Sequence, residues 1–99
     1  MKDHTRVHLI EVKKLGATNT KGARVKFTSL RFGDSVTISY DYAKDNISDM
    51  FIDWLKSKDN DLGIVSVGYD EKRYVYIFGV TVYESMKNIN NGGVLVWTN

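Results

Sequence analysis

The chain has 99 residues and a formal net charge of +2, with 42% hydrophobic and 26% charged residues. That length supports one domain with a single modest core, and the balance is that of a globular chain, not a disordered one. There is neither cysteine nor proline, which excludes a disulfide framework and any thiolate metal site.

Met1 to Arg6 lacks the apolar run of a signal peptide, and no stretch approaches the roughly 18 apolar residues of a membrane span. A cytoplasmic location is therefore expected. Alternation predicts a strand over Arg6 to Leu15, with His8, Ile10 and Val12 on one face and Leu9, Glu11 and Lys13 on the other. Gly16 to Gly22 is a loop, with a glycine at each end and small polar residues between. A second strand, Ala23 to Ser29, points Val25 and Phe27 one way and Arg24, Lys26 and Thr28 the other. Gly33-Asp34 marks a turn, and Ser35 to Tyr42 follows as a third strand that turns Val36, Ile38 and Tyr40 toward a helix.

That helix is Asn46 to Lys58, where Ile47, Met50, Phe51, Trp54 and Leu55 recur at i, i+3, i+4, i+7 and i+8 and form one apolar stripe. Asn46 is placed to cap the first turn, with Asp49 three residues on in the manner of a capping box. Asp45, Asp49 and Asp53 lie off the stripe toward the positive end of the helix dipole, and Lys56 and Lys58 toward the negative end. After a polar connector, Ile64 to Tyr69 and Tyr74 to Val82 form a hairpin around Asp70-Glu71-Lys72. The second of these strands is apolar on both alternating faces, so it is expected to be central or covered on both sides. Tyr83 to Ile89 is expected to be a short helix, Asn90 to Gly93 a turn, and Val94 to Trp97 a last strand. Left unpaired, that strand would be a sticky edge and a route to a homodimer or a partner. The expected fold is α+β: an antiparallel sheet of about five strands with one principal helix, in the order β-β-β-α-β-β, and a C-terminal extension, all in a single domain spanning 1–99.

The run Leu15-Gly-Ala-Thr-Asn-Thr-Lys-Gly-Ala-Arg-Val-Lys26, followed by Ile38-Ser-Tyr-Asp-Tyr42 and the helix, resembles a group of small uncharacterised proteins of bacteriophages and other bacterial mobile elements. The resemblance covers about residues 7–80 and implies no activity and no catalytic residue. It implies a setting in which small proteins often bind nucleic acid or inhibit a host protein.

Charge is unevenly spread. Lys13 to Gly33 contains Lys13, Lys14, Lys21, Arg24, Lys26 and Arg31 and no acid, so this window carries +6 and the remainder −4. A hairpin of the first two strands would project Lys13, Arg24 and Lys26 from one face, with Lys21 and the loop amides at its tip. Such residues suit phosphate contacts, which position a protein without reading sequence. The competing explanation is a solvated face that keeps a sheet edge from aggregating. Lys13, Lys14, Thr18, Asn19, Lys21, Arg24, Lys26, Arg31 and Tyr42 are the candidate nucleic-acid or partner-binding residues.

Other constellations carry less. Tyr40, Tyr42, Tyr69, Tyr74, Tyr76, Tyr83 and Trp97 would stack bases only if exposed, and most fit a core or its rim. The Gly16–Gly22 loop lacks the Gly-Lys-Ser/Thr ending of a phosphate loop and joins two strands. His4 and His8 lie about 13 Å apart on an extended chain, too far to share a metal. No nucleophile elbow or triad is evident, and Asp45, Asp49 and Asp53 read as a solvated helix side. The sequence therefore points to a non-enzymatic binding module without a cofactor, docking a basic hairpin on nucleic acid. The alternative is an inhibitor or adaptor that binds a host protein.

Overall fold

Two periodicities, two residues in the strands and 3.6 in the helix, dictate a sheet with one face covered. The structure is a computed structural model and describes residues 6–19, 22–44 and 46–91. It contains β1 (His8–Leu15), β2 (Arg24–Ser29), β3 (Ser35–Ser39), α1 (Ile47–Ser57), β4 (Ile64–Asp70), β5 (Val75–Val80) and α2 (Met86–Asn90). The strands form one antiparallel sheet in the order β3-β2-β1-β5-β4. This is the α+β fold expected from the sequence, with five strands and a principal helix.

The register sorts the side chains onto two faces. Opposition of Ile10 with Ser29 and Phe78, and of Val12 with Phe27 and Tyr76, gathers the apolar residues of β1, β2 and β5 on one side. The stripe of α1 closes over them through Met50, Phe51, Trp54 and Leu55, all buried. Phe51 meets Phe27 and Phe78 with ring centroids 4.9 and 4.7 Å apart, so one helical side chain bridges two strands. Each buried side chain of this size contributes about 1.5–3 kcal/mol.

The ends of α1 are held as the sequence suggests, with one difference. Asn46 Oδ1 accepts from the Ser48 N–H at 2.8 Å and from the Ser48 hydroxyl at 2.9 Å. Asp49 makes no reciprocal bond among the described residues, so this is a single-sided cap. Asn46 Nδ2 also donates to the Tyr76 hydroxyl at 2.9 Å, which ties the helix start to β5. β5 lies between β1 and β4, in agreement with its two apolar faces.

The third strand is shorter than the alternation suggests, ending at Ser39, and Tyr42 falls in the turn beyond it. The helix expected within Tyr83 to Ile89 begins three residues later, at Met86, where Ser85 Oγ accepts from the Asn88 N–H at 3.2 Å. Met86 and Ile89 enter the same core as α1. The Val94 to Trp97 strand lies outside the described residues.

Candidate nucleic-acid interface

The helices occupy one side of the sheet, and no described helix covers the other. On that outer face the register sets Lys13 directly opposite Lys26, and Lys26 opposite Thr37. The next row is Leu15, Arg24 and Ser39. Rows two residues apart along a strand are separated by about 7 Å. Lys13, Arg24 and Lys26 therefore form one tight positive group, bordered along β3 by the hydroxyls of Ser35, Thr37 and Ser39.

Two features mark this group electrostatically. Like charges directly opposite on neighbouring strands are destabilising, and no described acid pairs with Lys13 or Lys26. The outer-face acids Glu11 and Asp70 are both engaged by Arg73, Glu11 through a close ion pair and Asp70 at 3.8 Å. Arg24 is half-buried, and its Nε is buried without a hydrogen-bond partner. Leaving such a donor unmet costs about 1–3 kcal/mol. An anion seated over the group would relieve the repulsion between the lysines.

The remaining candidates lie elsewhere. Lys14 points to the opposite face, where its Nζ sits 4.5 Å from the centre of the Tyr40 ring. Tyr42 is 77% exposed and packs at a tilt against the same Tyr40 ring, with centroids 4.9 Å apart. Arg31 lies in the turn after β2, about 20 Å along the strand direction from Arg24, with its guanidinium 4.4 Å from the Tyr83 ring. Thr18 and Asn19 are exposed in the loop beyond β1. Lys21 lies outside the described residues. The single basic surface expected from the sequence thus divides: Lys13, Arg24 and Lys26 converge, while Lys14 and Arg31 are committed to aromatic rings on other parts of the molecule.

His8, a weak metal or triad candidate in the sequence, is a packing residue. It is buried between the edges of Phe32 and Tyr83, and its Nε2 lies 2.9 Å from the Val82 carbonyl oxygen. Among the described residues no three His, Cys, Asp or Glu side chains come together as a metal site. A cleft of about 190 Å³ lies between β3 and α1, walled by Ile38, Met50 and Trp54 and rimmed by the Lys44–Asp53 ion pair. Small-molecule sites typically run from about 300 Å³ upward, so this cleft is a seam in the packing. Residue exposure also reveals what alternation alone did not: Leu30 and Phe32, 49% and 47% exposed at the β2–β3 turn.

Comparison with protein-family models, with curated proteins and with solved structures returned no match.

Proposed function

We propose that the uncovered outer face of β1 and β2 docks on a polyanion, the phosphate backbone of nucleic acid, with Lys13, Arg24 and Lys26 as the contacts. The observation that carries this reading is the cross-strand Lys13–Lys26 opposition beside an Arg24 guanidinium whose Nε has no acceptor. Three positive side chains without counter-charges among the described residues are held at fixed spacing on the sheet, so binding need order only the side-chain ends. The hydroxyls on β3 would add neutral phosphate contacts. No aromatic side chain shares these two rows, so the face would grip the backbone and leave bases unread.

Binding of a fluorescein-labelled duplex of random sequence, followed by anisotropy at low salt, tests the reading. The double variant Arg24→Gln/Lys26→Gln is expected to weaken binding at least tenfold, while Lys44→Gln/Lys56→Gln on the helix side leaves it within twofold. Equal losses in the two variants would contradict it.

A second reading, docking on a host protein, is favoured by a separate observation. Leu30 and Phe32 project at the β2–β3 turn, near Tyr83, and exposed apolar residues at a loop tip suit a protein partner. Salt-insensitive capture of one protein, abolished by Phe32→Ser, would select this reading over the first.

A further inference from the structure

We propose that the nucleic acid held by the basic group is single-stranded, and that its bases stack on Tyr42 and Tyr74. The inference rests on the polyanion reading and narrows it to an unpaired strand. β1 and β3 end, and β2 and β5 begin, at the same end of the sheet, as the antiparallel order requires. At that end Tyr42 follows β3 and Tyr74 precedes β5. Among the described residues they are the two most exposed aromatics, at 77% and 73%. Between them lie Arg24 on β2 and Lys13 and Lys14 on β1, with the Gly16–Gly22 loop and its exposed Thr18 and Asn19. The order across this end is therefore aromatic, basic, basic, aromatic, over three strand spacings or about 14 Å.

Three observations favour an unpaired strand as the occupant. First, the alternation matches the ligand. A single strand carries a flat base beside each phosphate, so cations flanked by open rings meet both of its parts. In a duplex the bases are stacked on one another and turned inward, out of reach of both tyrosines. Second, the rings are held in place without being covered. Tyr42 packs against Tyr40, whose ring is met in turn by the Lys14 Nζ at 4.5 Å. The Tyr74 N–H donates to the Asp70 carbonyl oxygen at 2.8 Å, which closes the turn that presents it. Rings already positioned lose little freedom on binding. Third, charge separates this end from an apolar docking patch for a protein. Lys13 and Arg24 lie between the rings, the Glu11 and Asp70 carboxylates are engaged by Arg73, and Asp41 beside Tyr42 accepts from the Ala43 N–H at 2.9 Å. Stacking accepts every base, so sequence stays unread.

The test compares three fluorescein-labelled ligands by anisotropy at one low salt concentration. They are a short oligothymidylate, an abasic oligomer with the same number of phosphates, and a duplex of the same length. The wild type is expected to bind the oligothymidylate at least tenfold more tightly than the abasic oligomer, since each stacked base contributes about one order of magnitude. Tyr42→Ala/Tyr74→Ala should erase that difference while leaving abasic and duplex binding within twofold of wild type. Tyr42→Phe/Tyr74→Phe, which keeps both rings, should retain it. Arg24→Gln/Lys26→Gln should weaken all three ligands together. Equal wild-type affinity for the oligothymidylate and the abasic oligomer, with the duplex still bound, would overturn this inference and leave the polyanion reading standing. Loss of duplex binding in the alanine variant to the same extent as oligothymidylate binding would overturn it too. Failure of the wild type to bind any of the three would remove both.

Discussion

At the scale of single residues, long-range capping ties the start of α2 to the β2–β3 turn. Asp34 sits in the β2–β3 turn, and its two carboxylate oxygens accept from the Met86 and Lys87 N–H groups at 3.1 and 2.9 Å. Those are donors that the first turn of α2 leaves unmet. Asp34→Ala is expected to cost about 1–2 kcal/mol, read as a lower urea midpoint with an unchanged slope. The sequence marked Gly33-Asp34 only as a turn, because a bond spanning 52 residues leaves no local pattern. The Lys44–Asp53 pair is a second case. The hydrogen bond from Lys44 holds the Asp53 carboxyl below its ordinary value, and the same bond raises the Lys44 ammonium. A lowered carboxylate stabilises the fold above its unfolded value and loses that contribution as the pH falls through the folded one. The stability difference between wild type and Lys44→Met should therefore be small at neutral pH, the pair being exposed, and should vanish on acidification below about pH 3.9. A difference that grows in acid would show that the pair is not the source. The i, i+4 spacing of the aspartates suggested a bare solvated side, and the cation that answers Asp53 comes from outside the helix.

At the scale of elements, α1 and the first hairpin were legible for the same reason: each has a period that survives inspection of one strand or one helix alone. The stripe from Ile47 to Leu55 named the buried face of α1, and alternation in β1 and β2 separated Lys13, Arg24 and Lys26 from the core. Phe51, which contacts both Phe27 and Phe78, should be the costliest position of the helix. Phe51→Ala is expected to lose about 3–5 kcal/mol, measured by urea unfolding, against under 1 kcal/mol for the exposed Asp49→Ala. What alternation could not foresee was the fate of Lys14 and Arg31, since each is decided by a ring on another element, Tyr40 on one side and Tyr83 on the other. The start of β4 shows a backbone constraint of the same non-local kind. Gly63 has φ +60°, and a Cβ there would collide with the Thr81 side chain. Gly63→Ala should accordingly lower the melting temperature more than Gly16→Ala, whose Cβ meets nothing within 4 Å. Equal effects would show that the Thr81 contact does not constrain the turn.

At the scale of the whole molecule, the fold separates two kinds of surface. Helices and core take one side of the sheet, and the other side carries the basic and hydroxyl side chains of β1, β2 and β3 beside the apolar Leu9, Val75 and Ile77 of β1 and β5. The order of elements along the chain was readable from sequence, but the order of strands across the sheet was not. It is the insertion of β5 between β1 and β4 that sets Glu11 beside the β4–β5 turn, where Arg73 neutralises it. Without that pairing an acid would lie free next to Lys13, and the positive group would be smaller. The central claim is that Lys13, Arg24 and Lys26 act together on a phosphate backbone, and the most direct measurement is the salt dependence of duplex binding. Displacing counterions at three phosphates predicts a fall of log K with log salt concentration at a slope of about −3. The triple variant Lys13→Gln/Arg24→Gln/Lys26→Gln should bring the slope close to zero, whereas a wild-type slope near zero, or a triple variant that retains the full slope, would contradict the account.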